Sequence, residues 1–173
     1  MASSSTLSEK QRAYGKFTGD DAQKAYRKCL ESGVRFLDTA DSYGSSYASA
    51  HKILTPLLQD RELRRERPMV APSFRKTGLR TSTGKVFNSL RKSLKEMQLE
   101  EASLYQARKP LVGGLNALAN GFVEGIDEGY CTRVGGINLS AGAMKSLQKK
   151  LKRRGEYLCT NAVSEWEWEC IGI

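Results

Sequence analysis

The sequence has little of what most metal sites and disulfide frameworks require. Its 173 residues include one histidine, His51, and four cysteines, which stand far apart: Cys29, Cys131, Cys159 and Cys170. Zinc sites use closely spaced ligands, and disulfide-stapled domains use many cysteines in a short chain. The sequence therefore predicts neither a metal site nor a disulfide framework, and we expect the thiols to be reduced and mostly buried.

A long hydrophobic run is also missing. The longest weakly polar stretch, Leu111–Ile126, is rich in glycine and is interrupted by Asn116, Asn120 and Glu124. Because a transmembrane helix needs about 20 mostly apolar residues, this stretch predicts no membrane span.

Negative charge is in short supply, since 28 Lys and Arg residues face 19 Asp and Glu residues, for a net charge of +9. Such a surplus favours acidic partners. Two clusters of basic residues could bind nucleic acid: Arg61, Arg64, Arg65 and Arg67, and Lys149, Lys150, Lys152, Arg153 and Arg154. No recognition module or aromatic stacking pattern accompanies them, so nucleic acid is disfavoured against a solvated helix face or a docking patch for an acidic protein.

The beginning of the chain predicts a flexible segment over residues 1–17. Its first residues, Met-Ala-Ser-Ser-Ser-Thr, are similar to the start of a plastid transit peptide but lack the Arg-rich amphipathic length of one. Both cytoplasm and plastid therefore remain open as the compartment.

From Thr18 onward, helix-like and strand-like segments alternate, which is typical of repeated βα units and a mainly parallel sheet. The predicted helices span 19–31, with Ala25, Tyr26 and Cys29 facing inward, then 53–58, 81–99, 115–128 and 139–154. The predicted strands span 34–37, 69–72, 102–106, 132–137 and 157–163. The fold class is therefore α/β, in a single domain over 18–173.

One strand ends in a group of reactive side chains. The segment Gly33–Gly44 runs from apolar residues into Asp38, Thr39 and Tyr43. Parallel α/β folds place their chemistry at the carboxyl ends of strands. An acid and a phenol therefore stand where an active site is expected.

This segment resembles the strand-two signature of the aldo-keto reductases, with matches at Gly33, Phe36, Asp38, Thr39, Ala40, Tyr43 and Gly44. The resemblance implies a partial (β/α) TIM-barrel-like domain that lacks the C-terminal strand–helix units, because a complete barrel needs about 250 residues. It also implies that Asp38 and Tyr43 belong to a catalytic group of Asp, Tyr, Lys and His. In that group Tyr is the general acid and the cation makes its phenol more acidic.

Two members of the group implied by the resemblance are replaced. Ser73 stands at the position of the Lys, in the string Val-Ala-Pro-Ser-Phe, and Arg108 stands at the position of the His, in Tyr-Gln-Ala-Arg-Lys-Pro. Lys76 could reach back to replace the missing Lys, although a solvated loop lysine is the favoured interpretation. Arg108 could bind an anion, but a surface ion pair is the simpler use.

The implied cofactor site is also altered. The family's Gly-Val-Ser-Asn motif appears as Gly-Gly-Ile-Asn, which keeps only Asn138 as a weak nicotinamide ligand, and the Gln of a later Asn-Gln motif corresponds to Ala162. The phosphate-binding loops lie in the part of the barrel that the resemblance does not reach. We therefore expect no bound cofactor, and NADP if the chain is active. His51 is expected to be a partly exposed residue at a helix start.

These departures predict a non-catalytic structural or binding subunit of a larger assembly, with a protein partner that presents acidic surface. The segment 166–171, which alternates aromatic or apolar residues with acidic ones, is a candidate docking strand, and the alternative is that both Trp residues cap the domain's own core. The alternative function is an NADP-dependent oxidoreductase that reduces aldehydes or ketones, with the missing lobe supplied by another chain.

Overall fold

The computed structural model describes residues 19–40, 43, 49–65, 68–75, 81–108, 114–152, 155 and 158–162. Within these ranges helices and strands follow one another in this order: α1 (Gly19–Glu31), β1 (Phe36–Ala40), α2 (Ala50–Gln59), α3 (Arg61–Arg65), β2 (Met69–Arg75), α4 (Thr83–Met97), β3 (Tyr105–Arg108), α5 (Leu115–Asp127), β4 (Val134–Ile137), α6 (Ala141–Lys152) and β5 (Leu158–Ala162). The strands form one sheet in the order β1-β2-β3-β4-β5, and every neighbouring pair is parallel. The predicted α/β class is confirmed.

Helix α4 has its buried residues on one face. It begins after Ser82, whose Oγ accepts a hydrogen bond from the Lys85 N–H at 3.3 Å, and it ends at Gln98, which adopts a left-handed conformation with φ of 55°. Serine at this position satisfies an otherwise unpaired amide at the start of a helix. Its buried residues recur every three or four positions, and they are Val86, Leu90, Ser93, Leu94 and Met97. This single apolar stripe packs the helix against the sheet.

The main core lies between the sheet and helices α4, α5 and α6. At its centre the Tyr105 hydroxyl donates to the Val86 carbonyl at 2.7 Å, and the Tyr105 and Phe122 rings meet edge to face at 5.6 Å. Ala107 belongs to the same core, so Tyr105 and Ala107 face the helices. Because side chains alternate along a strand, Gln106 and Arg108 face the opposite, inner side of the sheet.

The strand register extends this inner face across the sheet. Ala40 of β1 pairs with Ser73 of β2, Ser73 pairs with Gln106 of β3, and Gln106 pairs with Gly135 of β4. Paired residues of neighbouring strands point to the same face. The inner face near the carboxyl ends of the strands therefore carries mostly polar or very small residues.

The inward face predicted for α1 is wrong at two of its three positions. Tyr26 and Leu30 are buried, whereas Ala25 and Cys29 are exposed. The buried cluster contains Tyr26, Leu30, Leu57 and Leu63. Helix α3, absent from the sequence-based prediction, supplies Leu63 to this cluster, and the buried stripe of α1 lies one residue later than predicted. Of the two cysteines whose side chains are described, Cys131 is buried and Cys29 is not, so the thiol prediction holds only in part.

The partly exposed histidine predicted at position 51 is also wrong. The His51 side chain is 0% exposed, and its Nδ1 lies 3.0 Å from Glu96 Oε2 on helix α4. Thr55, one turn later, donates from Oγ1 to the Glu96 carbonyl at 2.8 Å. The pairing of α2 with α4 therefore buries this residue, which explains its place in the sequence without any catalytic role.

Several element boundaries differ from the predictions by a few residues. Strand β1 begins at Phe36 rather than Val34 and extends through Ala40, which places Asp38 inside the strand. Ala102 forms an isolated bridge with Cys131 rather than opening β3. Apart from α3, the remaining helices and strands lie within three residues of their predicted ends, and Pro56 lies within α2. Among the described residues, no helix is long and apolar enough to cross a membrane, and no group of acidic, His and Cys side chains could hold a metal.

Candidate active site

Three side chains meet where β1 and β3 approach their carboxyl ends. Asp38 comes from β1, Arg108 is the last residue of β3, and Tyr43 follows β1 by three residues. The backbone of Tyr43 is fixed on both sides, because its N–H donates to the Ala40 carbonyl at 3.1 Å and its carbonyl accepts from the Ala50 N–H at 2.9 Å. These bonds hold the phenol between the sheet and the start of α2.

The three groups form a connected cluster. The Tyr43 hydroxyl donates to Asp38 Oδ2 at 3.1 Å, and Arg108 Nη2 donates to the Tyr43 hydroxyl oxygen. The same Nη2 lies 3.6 Å from Asp38 Oδ2, and the guanidinium carbon is 5.0 Å from the centre of the Tyr43 ring. The phenol is therefore held by an acceptor and a permanent cation at once, and the cation also contacts its aromatic face.

The position of Arg108 agrees in part with the expectation of a surface ion pair. Arg108 does pair with Asp38, whose side chain is 40% exposed, but the Arg108 side chain is only 23% exposed, and its Nε is buried without a hydrogen-bond partner among the described residues. No local pattern predicts the contact of Arg108 with Tyr43, because the two residues are 65 positions apart and meet only through strand pairing. Charged pairs that are partly desolvated interact more strongly than exposed ones.

The carboxyl group of Asp38 lies in a mixed environment. Partial burial raises the pKa of Asp38 above its ordinary value, and the nearby Arg108 charge lowers it by a smaller amount. The carboxylate is thus easier to protonate in the folded protein than in the unfolded chain. Ionisation of Asp38 at neutral pH therefore lowers the free energy of unfolding.

Replacing Asp38 with asparagine is therefore expected to raise the melting temperature at neutral pH. Because the folded-state pKa is raised, this advantage should shrink as the pH falls through that pKa and vanish below the unfolded value of about 3.9. Thermal unfolding of Asp38→Asn and wild type from pH 7 down to pH 3 measures it, with Asp127→Asn on the exposed end of α5 as the control. A melting temperature of Asp38→Asn below that of wild type at neutral pH would contradict the raised pKa of Asp38.

Ser73 occupies the inner face of β2 beside this cluster. It is 2% exposed, and its Oγ donates to the Thr39 carbonyl at 3.1 Å. Its neighbours in the register are Ala40 on β1 and Gln106 on β3, so the position predicted to lack a cation lies between the strands that carry Asp38 and Arg108. Lys76, the candidate replacement, lies outside the described residues.

Two amide side chains are candidates to hold a nicotinamide. Gln106 is 1% exposed on the inner face, and its Oε1 has no hydrogen-bond partner among the described residues. A buried acceptor without a donor suits the amide N–H of a nicotinamide carboxamide. Asn138 follows β4 directly and adopts a left-handed conformation with φ of 55°, at the same end of the sheet. The residues present thus fit the nicotinamide end of such a cofactor.

Sequence reasoning named Asn138 but did not assign a role to Gln106. The available signal was strand alternation: Tyr105 and Ala107 are the apolar residues of β3, so the polar Gln106 between them had to face the other side. On β5, the register places Asn161 beside Gly136 and Ala162 beside Ile137. The position predicted to have lost its glutamine is therefore next to the end of β4.

Comparisons with known proteins identify the family. The model of the Aldo/keto reductase family matches residues 6–159. The chain is 26% identical, over 158 residues, to the chloroplastic pyridoxal reductase of Arabidopsis thaliana, an alignment that covers 83% of this chain and 42% of that protein.

Solved structures show the same fold. The holo form of an aldo-keto reductase from Bacillus halodurans superposes with a TM-score of 0.69 at 19% identity, over 86% of this chain and 48% of that one. An aldo-keto reductase from Klebsiella pneumoniae in complex with NADPH gives 0.67 at 21% identity, over 83% of this chain and 47% of that one. The chain thus spans less than half the length of these relatives. The predicted partial TIM-barrel-like fold is confirmed.

Proposed function

Since the chain belongs to the aldo/keto reductase family, we propose that it reduces aldehydes or ketones with NADPH and that Tyr43 is its proton donor. The main support is the contact of the Tyr43 hydroxyl with both the Asp38 carboxylate and the Arg108 guanidinium. A phenol in this setting is held in one orientation at the carboxyl ends of the strands, where barrel enzymes place their reacting groups.

The reduction requires a hydride at the carbonyl carbon and a proton at the carbonyl oxygen. When bound, a reduced nicotinamide supplies the hydride. Tyr43 gives its hydroxyl proton to the oxygen as the carbon–oxygen π bond breaks, which leaves an alcohol and a transient phenolate. Arg108 stabilises that phenolate because its guanidinium contacts the same oxygen. The Asp38 carboxylate contacts both groups and keeps the guanidinium beside the phenol oxygen.

Gln106 and Asn138 are the residues proposed to orient the nicotinamide. Gln106 offers its Oε1, which has no partner within the part of the chain that the structure describes, and Asn138 offers an amide at the end of the neighbouring strand β4. The relative from Klebsiella was solved with NADPH, which supports the choice of cofactor.

Steady-state turnover tests the proposal. Purified protein, NADPH and a panel of reactive aldehydes and ketones that includes pyridoxal should consume NADPH above the buffer rate. Pyridoxal is in the panel because the Arabidopsis relative is named as its reductase. A second variant, Gln106→Leu, removes the proposed nicotinamide acceptor and is expected to raise the KM for NADPH about tenfold, the effect of losing one good hydrogen bond. No consumption with any substrate would contradict the proposal.

A non-catalytic role in an assembly is the second candidate. The observation that favours it is Ser73, because a buried serine bonded to the Thr39 carbonyl supplies no cation where the family resemblance places one. The proposed partner presents acidic surface to exposed cations such as Lys149 and Lys152 on α6. Charge reversal at both positions should then release the chain from its native assembly without affecting any turnover, whereas an unchanged assembly would count against this role.

A further inference from the structure

Arg108 reaches its partners from the far side of β2. Asp38 lies on β1 and Arg108 on β3, and their partners on β2, Ala71 and Arg75, are four residues apart. Their backbones are therefore separated by two strand spacings, about 10 Å, across the sheet and by about 13 Å along it. Nevertheless Arg108 Nη2 lies 3.6 Å from Asp38 Oδ2 and also donates to the Tyr43 hydroxyl. The long side chain of Arg108 must therefore extend across the inner face of β2.

The residues of β2 on that face are small. Ala71 pairs with Asp38, and Ser73 pairs with Ala40 on one side and Gln106 on the other. Ala71 is 0% exposed and Ser73 is 2% exposed. The Oγ of Ser73 is directed to the Thr39 carbonyl, at 3.1 Å, and so takes up little of the inner face. A longer side chain at position 73 would occupy the space that the Arg108 side chain crosses.

From this geometry we infer that Arg108 is the residue that activates Tyr43, and that Ser73 is small because it leaves the path for the Arg108 side chain open. The two substitutions compensate for each other: Arg108 on β3 supplies the cation, and the small Ser73 on β2 leaves room for its side chain. The inference rests on the proposed function for its catalytic meaning, but the effect of Arg108 on the ionisation of Tyr43 exists whether or not the chain turns over a substrate.

The activation is electrostatic. A guanidinium stays charged at every physiological pH, and a cation in contact with a phenol oxygen favours the phenolate form. The same contact lowers the cost of forming that phenolate during proton transfer. Asp38 opposes this effect in part through its negative charge, so the carboxylate serves chiefly to hold Arg108 in place.

The first test follows the tyrosinate absorbance of the full chain as the pH is raised, with Tyr43→Phe used to identify the Tyr43 contribution by difference. Arg108→Gln should move the Tyr43 transition to higher pH by about 1 to 3 pH units, and Arg108→Lys should move it less. Arg133→Gln, an exposed cation before β4, is the matched control and should leave it unchanged. An unchanged transition in Arg108→Gln overturns the inference.

The second test restores the cation from the neighbouring strand. Arg108→Gln is expected to lower turnover by about 10- to 100-fold. Adding Ser73→Lys to this variant should return the Tyr43 transition toward that of wild type and recover part of the lost turnover. Ser73→Lys alone should lower the melting temperature, because two cations then compete for one space. A Ser73→Lys single variant as stable as wild type, or a double variant without recovery, contradicts the pairing.

The two proposals fail in different ways. Wild type that shows no turnover, with the Tyr43 transition still shifted in Arg108→Gln, refutes the reductase function and supports the role of Arg108. Turnover that persists in Arg108→Gln, with an unshifted transition, supports the reductase function and refutes that role. Circular dichroism of each variant identifies any that is unfolded, and Arg108→Lys then provides the comparison in place of Arg108→Gln.

Discussion

Replacing Tyr43 with phenylalanine is expected to lower turnover of aldehydes by about 10²- to 10⁴-fold, which is the usual contribution of a general acid. The substitution removes one oxygen atom and keeps the ring that packs near the Arg108 guanidinium. The fold should therefore stay intact while the proton donor is lost. Initial rates with saturating NADPH measure the effect, because the loss is expected in kcat rather than in the KM for the cofactor.

Tyr130→Phe is the matched control for this change. Tyr130 lies after α5, where its ring meets Phe87 edge to face at 5.6 Å and Arg91 at 5.7 Å, away from the site. It thus combines an aromatic ring, a hydroxyl and a nearby arginine without the Asp38 carboxylate. Turnover in Tyr130→Phe should equal that of wild type. Equal turnover in Tyr43→Phe would remove Tyr43 from the mechanism.

The largest effect on stability is expected at Gly121 in helix α5. A Cβ atom added there would lie 2.6 Å from the Val86 Cβ and 3.1 Å from the Thr83 carbonyl oxygen. Val86 is 0% exposed and branched at Cβ, so it cannot turn aside. Gly121→Ala should therefore lower the free energy of unfolding by about 1–3 kcal/mol, because overpacking forces α4 and α5 apart.

Gly142→Ala is the control for this substitution. Gly142 lies in the first turn of α6, and nothing stands within 4 Å of an added Cβ. Alanine there should raise the free energy of unfolding by up to about 1 kcal/mol, through its better helix propensity alone. Denaturant unfolding of both variants separates crowding from propensity. A Gly121→Ala protein as stable as Gly142→Ala would contradict the close contact between α4 and α5.

Much of the fold could be predicted from the sequence because each strand–helix unit carries its own signals. The apolar stripe of α4 is a local feature, and the helix predicted over 81–99 lies within two residues of the observed ends. The burial of His51 could not be predicted in the same way, because it depends on Glu96, 45 residues later on another helix.

The residues of the candidate site likewise differ in whether local sequence could predict them. Asp38 and Tyr43 belong to one continuous segment, so the sequence predicted both of them. Arg108 contributes only after three strands have paired in register, and no local pattern reports where a long side chain on β3 ends. The sequence suggested that the substitutions at Ser73 and Arg108 were two separate losses. The structure places them on adjacent strands, where one leaves room for the other.

The proposed reductase function is tested most directly by following the hydride itself. The wild-type chain is incubated with an aldehyde and NADPH that carries deuterium at the transferable position of the nicotinamide, and the alcohol product is examined by mass spectrometry. Reduction at the Tyr43 site predicts an alcohol that carries deuterium with wild type and that forms about 10²- to 10⁴-fold more slowly with Tyr43→Phe. Recovery of unchanged aldehyde from the wild-type reaction, or of equal deuterated alcohol from both proteins, would contradict it.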